Sequence, residues 1–375
     1  MKKAVTSILS ICLVLAILCS MNLFASATNY TLVNNSDITT MFTVPNNTYN
    51  GYTCTNHGGI SVGTANNRLF TVKSHSGEEY ATLYYYSNIY SGNAPKEIVF
   101  ADGLLGHANA MAIDDLNVYV TQWQKQSGGE KSRVIQISRR AISRLANNAV
   151  VSLTNNTFID SDNTVKPVYH IYTPKKTNGT NYTASIASIT RYSYNSSTQV
   201  TKFIIGHGKT ATQVSNGYNY VNSFAIATLN SATGTFVVSE DSANTFSVAY
   251  HDDSSVAATF QDMFYDAQYG LIFPYWLNNS LNRVVRVDIR NFAQASGNLT
   301  PADILTINKT STDSGEPLLK YEIESIAFVK HDANNQQDAF KMVFSTNAQK
   351  NPSGMRDSIE MIDPISDYLA PVSTL

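Results

Sequence analysis

The chain has 375 residues, of which only 14% are charged, and its formal net charge at pH 7 is −2. With 26 basic and 28 acidic side chains and no basic patch, the composition argues against a nucleic-acid partner. Asn, Ser, Thr and 22 Tyr take the place of charged residues. This polar, uncharged composition is typical of extracellular β proteins that contact sugars or cell walls.

The first 27 residues have the pattern of a secretory signal. Lys2 and Lys3 precede an apolar segment from Ile8 to Leu18, and residues 25–27 form a small-x-small cleavage site. The apolar run is shorter than the roughly 20 residues that span a bilayer. The segment therefore predicts a secreted, extracellular protein without a stable membrane anchor after cleavage.

The residues after the signal predict a short arm and then one large domain. Residues 28–51 are polar and rich in Asn and Thr, which indicates an N-terminal arm with a strand able to complete the domain over 52–375. Cys54 is the one cysteine left after cleavage, so no intramolecular disulfide forms in the mature chain. A secreted protein of this size without a disulfide is typical of bacterial export.

A short phrase recurs along the domain. It opens with a small or polar residue and an apolar one, and a polar turn and a β run follow in most copies. The copies begin at Gly59-Ile60, Ala110-Met111, Ser188-Ile189, Ser223-Phe224, Asp262-Met263 and Ser325-Ile326. A short β unit repeated at intervals of tens of residues is typical of a β-propeller.

Runs of β-branched and aromatic residues between turn residues predict strands throughout the domain. The clearest runs are Val134–Ile137, Phe236–Val238, Phe246–Tyr250, Leu271–Trp276, Val284–Ile289, Met342–Phe344 and Ser358–Ile362. Only two short helices are predicted, over 141–148 and 292–296. The long interval between the second and third phrases leaves room for a degenerate blade over 149–174. We therefore predict an all-β fold, a single six- or seven-bladed β-propeller preceded by a signal peptide, with a pair of β-sandwiches as the alternative.

The inner strands of a propeller begin at one face and line its central channel, so the residues just before each phrase are expected to converge. Four of these carry an amide or a carboxylate, namely Asn109, Asn222, Gln261 and Glu324. Such a ring can bind a sugar, hold a metal or perform acid–base chemistry. Polar residues at channel mouths also cap strand ends and hold water. We predict ligand binding by Asn109, Asn222 and Gln261.

Three residues are candidates for catalysis. Glu322 and Glu324 are two positions apart, so both point to one face of a strand, and two close carboxylates can act as an acid–base pair. His107 follows a glycine turn at a mouth position, and a histidine titrates near neutral pH. Two solvated carboxylates and a turn histidine bonded to backbone are the structural alternatives.

Trp123 and Trp276 are candidate platforms for stacking a sugar ring, although strand aromatics more often pack in the core. The sequence contains no H-E-x-x-H or P-loop motif. It therefore predicts no metal site and no cofactor.

Three segments carry a resemblance to a known family. His107-Ala108 before one strand, Val221-Asn222-Ser223 before another, and Glu322–Ile326 with later strands near Met342 and Ile359 resemble the helveticin J family of large secreted bacteriocins from Gram-positive bacteria. The resemblance implies a propeller fold and an action on neighbouring bacteria. It supplies no catalytic residue.

Three functions follow as hypotheses. The first is a bacteriocin-like or glycan-recognising binding protein whose partner is a cell-wall glycan, a polysaccharide or another bacterial surface component. The second is a glycan hydrolase or lyase that uses Glu322 or Glu324 with His107 at the channel mouth. The third is a structural surface scaffold.

Overall fold

The computed structural model describes residues 29–63, 67–124, 131–207, 220–250, 259–289, 297–329, 341–350 and 354–371. Within these ranges most of the chain forms β-strands, and five sheets have four or more strands. The signal segment over 1–27 and the helix expected over 292–296 lie outside the described residues. No described helix is long and apolar enough to cross a membrane.

We number the sheets as blades 1 to 5 in chain order. Blade 1 contains β5 (Asn56–Gly63), β6 (Arg68–Ser74), β7 (Ala81–Tyr86), β8 (Lys96–Phe100) and β12 (Ala149–Val151). Blade 2 contains β9 (Met111–Ile113), β10 (Asn117–Gln124), β11 (Lys131–Ser138) and β15 (Tyr169–Tyr172). Blade 3 contains β16 (Lys175–Lys176), β17 (Ile186–Asn195), β18 (Val200–His207), β19 (Tyr220–Asn230), β20 (Thr235–Val238), β21 (Thr245–Tyr250) and β26 (Gly297–Leu299).

Blade 4 contains β1 (Asn29–Leu32), β22 (Thr259–Phe260), β23 (Phe264–Asp266), β24 (Gly270–Asn278), β25 (Leu281–Val287) and β27 (Asp303–Asn308). Blade 5 contains β2 (Ile38–Thr43), β28 (Leu318–Val329), β29 (Lys341–Lys350) and β30 (Ser358–Ile362). Two hairpins stand apart, formed by β3 (Asn47–Tyr49) with β4 (Tyr52–Cys54) and by β13 (Thr157–Ile159) with β14 (Val165–Pro167). The one described α-helix, α1, is Arg139–Arg144, where a helix was predicted over 141–148.

The blades close into a ring, because the apolar faces of neighbouring sheets pack against each other. Five core clusters occur in the described chain, and each joins two consecutive blades, with the last joining blade 5 to blade 1. In that closing cluster, Val343 and Ile359 of blade 5 pack with Leu69 and Tyr84 of blade 1. The ring confirms the all-β propeller and excludes the pair of β-sandwiches.

The predicted count of six or seven blades is wrong, since the ring has five. The phrase at Ser223-Phe224 lies in β19, the third strand of blade 3, and Ser223 is exposed. Its alternation of small and apolar residues reflects a long strand that packs on both faces. The interval over 149–174 holds no further blade, because β12 pairs in parallel with β8 and β15 forms the outer edge of blade 2.

The N-terminal segment completes two blades. β1 pairs in parallel with β27 in blade 4, and β2 pairs antiparallel with β30 in blade 5. The first residues of the propeller therefore provide the outermost strand of the last blade, which ties the two ends of the ring together.

The recurring phrase marks the propeller axis. Its first residue is buried in all five inner-strand copies, which are Gly59, Ala110, Ser188, Asp262 and Ser325. The strands approach so closely here that a Cβ atom on Gly59 would lie 2.9 Å from the backbone carbon of Ala110. Small side chains are required where five strands converge, and this requirement gives the phrase its composition.

Asp262 holds the axis together. Its Oδ2 accepts from the Met111 backbone N–H at 2.9 Å and from the Ser325 hydroxyl at 2.8 Å. Its Oδ1 accepts from the backbone N–H groups of Met263 at 2.8 Å and Ile189 at 3.4 Å. One fully buried carboxylate thus links blades 2, 3, 4 and 5.

Candidate functional site

The inner strands all begin at one end of the channel, which we call the mouth. A chain of hydrogen bonds crosses the mouth between blades 5 and 1. Glu324 Oε1 accepts from Asn347 Nδ2 at 3.2 Å, and the same amide donates to Asn56 Oδ1 at 3.1 Å. Asn56 Nδ2 then donates to His107 Nε2 at 3.0 Å. The chain thus connects the predicted Glu324 with the predicted His107.

A second carboxylate fixes the outer side of the histidine. Glu78 Oε1 lies 3.4 Å from His107 Nδ1, and the two side chains are 18% and 25% exposed. Because Nε2 accepts from Asn56, the ring proton resides on Nδ1, facing Glu78. His107 is therefore held in one tautomer and one orientation at the rim of the mouth.

Glu322 belongs to a separate group on the blade 4 side. Its Oε1 accepts from Gln261 Nε2 at 2.6 Å, and its Oε2 pairs with the Lys320 ammonium. Lys320 also lies over the ring of Trp276, 5.0 Å from the ring centroid. The Lys320 ammonium therefore covers one face of the predicted stacking residue Trp276.

Glu322 and Glu324 take different partners because the strand bulges between them. Glu322 is paired with Asn347 in the sheet, whereas the register shifts between Ile323 and Ser325, which leaves Glu324 as the extra residue. A bulge re-aims the side chain of the residue it inserts. Glu322 accordingly contacts blade 4, while Glu324 contacts Asn347 on β29, which in turn reaches blade 1.

Two buried side-chain amide oxygens at the mouth lack a hydrogen-bond partner among the described residues. They are Gln261 Oε1 and Asn347 Oδ1, in side chains that belong to residues only 4% and 6% exposed. Each amide already uses its NH₂ group on a glutamate. A buried acceptor without a donor costs about 1 to 3 kcal/mol, so the mouth favours a ligand or water that supplies donors.

A groove lies along blade 1 and shares Glu78 with the mouth. It has a volume of about 380 Å³ and is lined by Tyr52, Gly77, Glu78, Glu79, Tyr80, Asp102 and Gly103. The rings of Tyr52 and Tyr80 lie 5.0 Å apart, inclined at 31°. Glu78 and Asp102 have left-handed backbones, with φ of +65° and +60°. Such conformations in residues other than glycine are unfavourable and tend to cluster at functional sites.

The other predicted binding residues lie apart from this hydrogen-bond chain. Asn109 is buried just before β9. Asn222 lies on β19 instead of an inner strand, and its Oδ1 accepts from the Tyr275 hydroxyl of blade 4. The side chain of Trp123, near the end of β10, lies outside the described part of the chain. Ligand binding by these three residues stays a prediction.

Three mouth residues were not predicted as site residues, namely Asn56, Glu78 and Asn347. Asn56 lies two positions before Gly58, just as His107 lies two positions before Asn109, so the repeat in the sequence already indicated this position. Asn347 lies on the second strand of its blade, opposite Glu322, and the spacing of the repeat along the inner strands does not predict which residues of a second strand lie at the mouth. Glu78 comes from the turn between β6 and β7, and only the left-handed backbone of that turn places it beside His107.

Two further reactive side chains are structural. His57 is fully buried, with Nδ1 facing the Thr346 carbonyl at 2.9 Å and Nε2 facing the Thr71 hydroxyl at 2.8 Å. Burial and the nearby Lys73 charge lower its pKa to about 3. Burial raises the pKa of the Cys54 thiol, which disfavours the reactive thiolate. Neither residue is suited to chemistry on a ligand.

No group of three or more His, Cys, Asp or Glu side chains in the described ranges is arranged to hold a metal ion. The polar side chains of the mouth are instead three carboxylates, several amides and one histidine. That set is suited to exchanging hydrogen bonds with a polar ligand.

No protein-family model matches the chain, and no curated protein is significantly similar to it in sequence. Among solved structures, the chain is similar to a putative glycoside hydrolase from Bacteroides ovatus, with 10% identity over 84% of this chain and 90% of that one and a TM-score of 0.41. It is also similar to a mutant β-fructofuranosidase from Bombyx mori in complex with sucrose, with 8% identity over 82% of this chain and 61% of that one and a TM-score of 0.37. A neuraminidase-like protein of subtype N11 gives 10% identity over 92% and 93% of the two chains and a TM-score of 0.35.

Proposed function

We propose that this protein binds glycan chains at the channel mouth and along the adjoining groove, with a bacterial cell-wall glycan or another polysaccharide as its ligand. The observation that carries the proposal is the pair of buried, unpartnered oxygens Gln261 Oε1 and Asn347 Oδ1 beside Glu322 and Glu324. Sugars are rich in hydroxyl donors, which match this excess of acceptors directly or through an ordered water.

The groove supplies the second element of a glycan site. Sugar rings have apolar faces that pack against aromatic side chains, while their hydroxyls need polar partners. Tyr52 and Tyr80 provide aromatic surface, and the carboxylates of Glu78, Glu79 and Asp102 provide acceptors along the same groove. A pocket of a few hundred cubic ångströms is in the range that accommodates small ligands. The groove and the mouth share Glu78, which lies beside His107, so a chain of several sugar units can contact both.

Binding is favoured over hydrolysis by how the carboxylates are used. Glu322 is bonded to both Gln261 and Lys320, and Glu324 is bonded to Asn347. Both glutamates are therefore placed as hydrogen-bond acceptors, each fixed by a neighbouring donor. A glycoside hydrolase needs one carboxylic acid free to donate its proton to the leaving oxygen.

One observation favours the alternative of a glycan hydrolase or lyase. His107 is oriented by Glu78 on one ring nitrogen, as a general base is oriented in many enzymes. Its other nitrogen, Nε2, is covered by the Asn56 amide. Catalysis by His107 requires Asn56 to rotate away when substrate binds, which a turnover assay detects.

The wider setting is part of the same proposal. The signal pattern at the N-terminus and the resemblance to the helveticin J family support a secreted, extracellular, bacteriocin-like protein of a Gram-positive bacterium that contacts the surface of other bacteria. Glycan binding at the mouth is the molecular step by which such a protein would select its target.

The test uses the protein from Thr28 onward, mixed with purified Gram-positive cell walls and a panel of insoluble polysaccharides. Sedimented protein and newly released soluble sugar are measured in the same tubes. We expect co-sedimentation without sugar release. Gln261→Met keeps the side-chain length but removes both the unpartnered acceptor and the donor to Glu322, so we expect a loss of affinity of about tenfold or more. Glu240→Gln, at an exposed carboxylate on blade 3, is the control.

Glu324→Gln separates binding from catalysis. In a binding protein this variant keeps most of its affinity, because the amide retains an oxygen to accept from Asn347. In an enzyme that uses Glu324 the variant loses turnover while it still sediments. Sugar release that depends on Glu324 contradicts the binding proposal, and the absence of both binding and release leaves a structural scaffold.

A further inference from the structure

A second cavity lies at the end of the inner strands opposite the mouth, between blades 2 and 3. Its volume is about 400 Å³. The β9–β10 turn, the second half of β17 and the start of β18 form its walls. It shares no lining residue with the groove at the mouth.

Arg191 is the one Lys or Arg side chain that lines this cavity. It is half-buried in β17, and no carboxylate of the described chain lies within ion-pair distance of its guanidinium. Two carboxylates line the cavity, and that of Asp114 is already occupied. Asp114 accepts from the backbone N–H groups of Leu116 and Asn117 at 2.8 and 2.6 Å and from the Tyr119 hydroxyl at 2.6 Å.

The rest of the lining is polar and uncharged apart from Asp115, which is exposed to solvent. Gln136 accepts from the Tyr172 hydroxyl at 2.5 Å, so its NH₂ group remains to donate into the cavity. Asn117 and Gln199 add two more amides, and Tyr194, 51% exposed, adds an aromatic ring at the edge. The cavity therefore combines one cation, two carboxylates, several uncharged hydrogen-bonding groups and one stacking surface.

We propose that this cavity binds a carboxylated sugar, with the Arg191 guanidinium paired to the sugar carboxylate and the amides bonded to the ring hydroxyls. The planar guanidinium matches a carboxylate with two parallel hydrogen bonds. A fatty acid or another apolar carboxylate does not fit, because Leu116 is the one aliphatic side chain in the lining. Asp115 is exposed to solvent, and the high dielectric constant of water weakens its repulsion of the ligand carboxylate.

This inference is independent of glycan binding at the mouth. If both hold, the protein has two carbohydrate sites at opposite ends of the inner strands. It then can contact two chains, or two parts of one surface, at once. Two linked sites raise the overall affinity for a polymer without any new contact at either site.

The experiment compares glucuronate with glucose, which differ only in the carboxylate at C6. Binding is measured by ligand-observed NMR titration at low salt. We expect glucuronate to bind at least tenfold more tightly than glucose and the difference to shrink as salt is added. Arg191→Gln is expected to bring the ratio close to one, and Arg191→Lys to retain part of it, because an ammonium keeps the charge and loses the planar fork.

A control variant locates the site. Arg144→Gln makes the same charge change at an exposed position on α1 and is expected to leave the ratio unchanged. The inference is overturned if wild-type protein binds neither sugar or both equally, if Arg191→Gln keeps the preference with an unchanged melting temperature, or if Arg144→Gln removes it.

Discussion

Replacing Asp262 perturbs the point where four of the five blades meet. The carboxylate is fully buried and accepts from Met111, Ile189, Met263 and Ser325, and no cation compensates its charge among these contacts. Burial, the dominant cause, raises the pKa of Asp262 to about 8. When protonated, the acid can donate to the Ser325 oxygen, whose hydroxyl then turns toward the Ile60 carbonyl 3.5 Å away.

The direction of the pH effect follows from the raised pKa. The group titrates near 3.8 in the unfolded chain and near 8 in the folded protein, so the folded state binds the proton more tightly. Its contribution to stability is complete below pH 3.8 and is lost as pH rises toward 8. The slope reaches about 1.4 kcal/mol per pH unit where only the folded state is protonated.

Asp262→Asn mimics the protonated acid and does not titrate. We therefore expect the free energy of unfolding of the wild type to fall relative to this variant by up to about 1.4 kcal/mol for each pH unit between pH 5 and 8. Other groups titrate alike in both proteins and cancel in the difference. Urea unfolding of both proteins at pH 5, 6, 7 and 8 measures this difference in the free energy of unfolding.

Asp262→Ala is the companion variant. It leaves the backbone N–H groups of Met111, Met263 and Ile189 without an acceptor, at about 1 to 3 kcal/mol each. We expect a loss of about 3 to 9 kcal/mol at pH 5, well beyond that of Asp262→Asn. A wild-type minus Asp262→Asn difference that stays constant with pH refutes the reasoning.

Three further predictions concern other parts of the ring. Because the pKa of His57 is lowered to about 3, the free energy of unfolding of the wild type should fall as pH drops below 6.5. His57→Gln should lose less over the same range, as measured by urea unfolding at pH 4.5, 5.5 and 6.5. Equal losses in the two proteins contradict the prediction. The Lys73 ammonium lies 2.6 Å from the buried Asp357 carboxylate, so Lys73→Met leaves that carboxylate without its cation and should lower the free energy of unfolding by about 3 to 5 kcal/mol. The double variant Lys73→Met/Asp357→Leu should restore most of this loss. A double variant no more stable than Lys73→Met contradicts the prediction. Removal of residues 28–43 uncovers the edges of β27 and β30 and should abolish the cooperative thermal transition seen by circular dichroism, whereas an unchanged transition shows that the ring closes without these strands.

The architecture was readable from the sequence because a geometric constraint repeats along the chain. Five strands that meet at an axis require a small residue at one position, and Gly59, Ala110 and Ser188 satisfy it. The blade count was not readable, because Ser223 begins a similar phrase in a third strand. A local alternation of small and apolar residues indicates that a strand is buried on both faces. It does not indicate whether that strand is the first, second or third strand of its blade.

The candidate site was readable only in part, for a similar reason. Glu324 and His107 lie at or near the start of a copy of the recurring phrase, so they follow the repeat and were found. Asn347 reaches the mouth from a second strand, and Glu78 reaches it from a left-handed turn. Contacts between blades depend on the closure of the ring, which no local sequence pattern encodes.

The most direct test of glycan binding at the mouth is hydrogen–deuterium exchange with and without soluble fragments released from Gram-positive cell walls by a muramidase. If the mouth and groove hold the glycan, backbone protection should increase in peptides that cover residues 52–58, 77–80 and 318–326, and Gln261→Met should weaken that protection. An absence of protection at these segments, or protection confined to other surfaces of the ring, contradicts the proposed site.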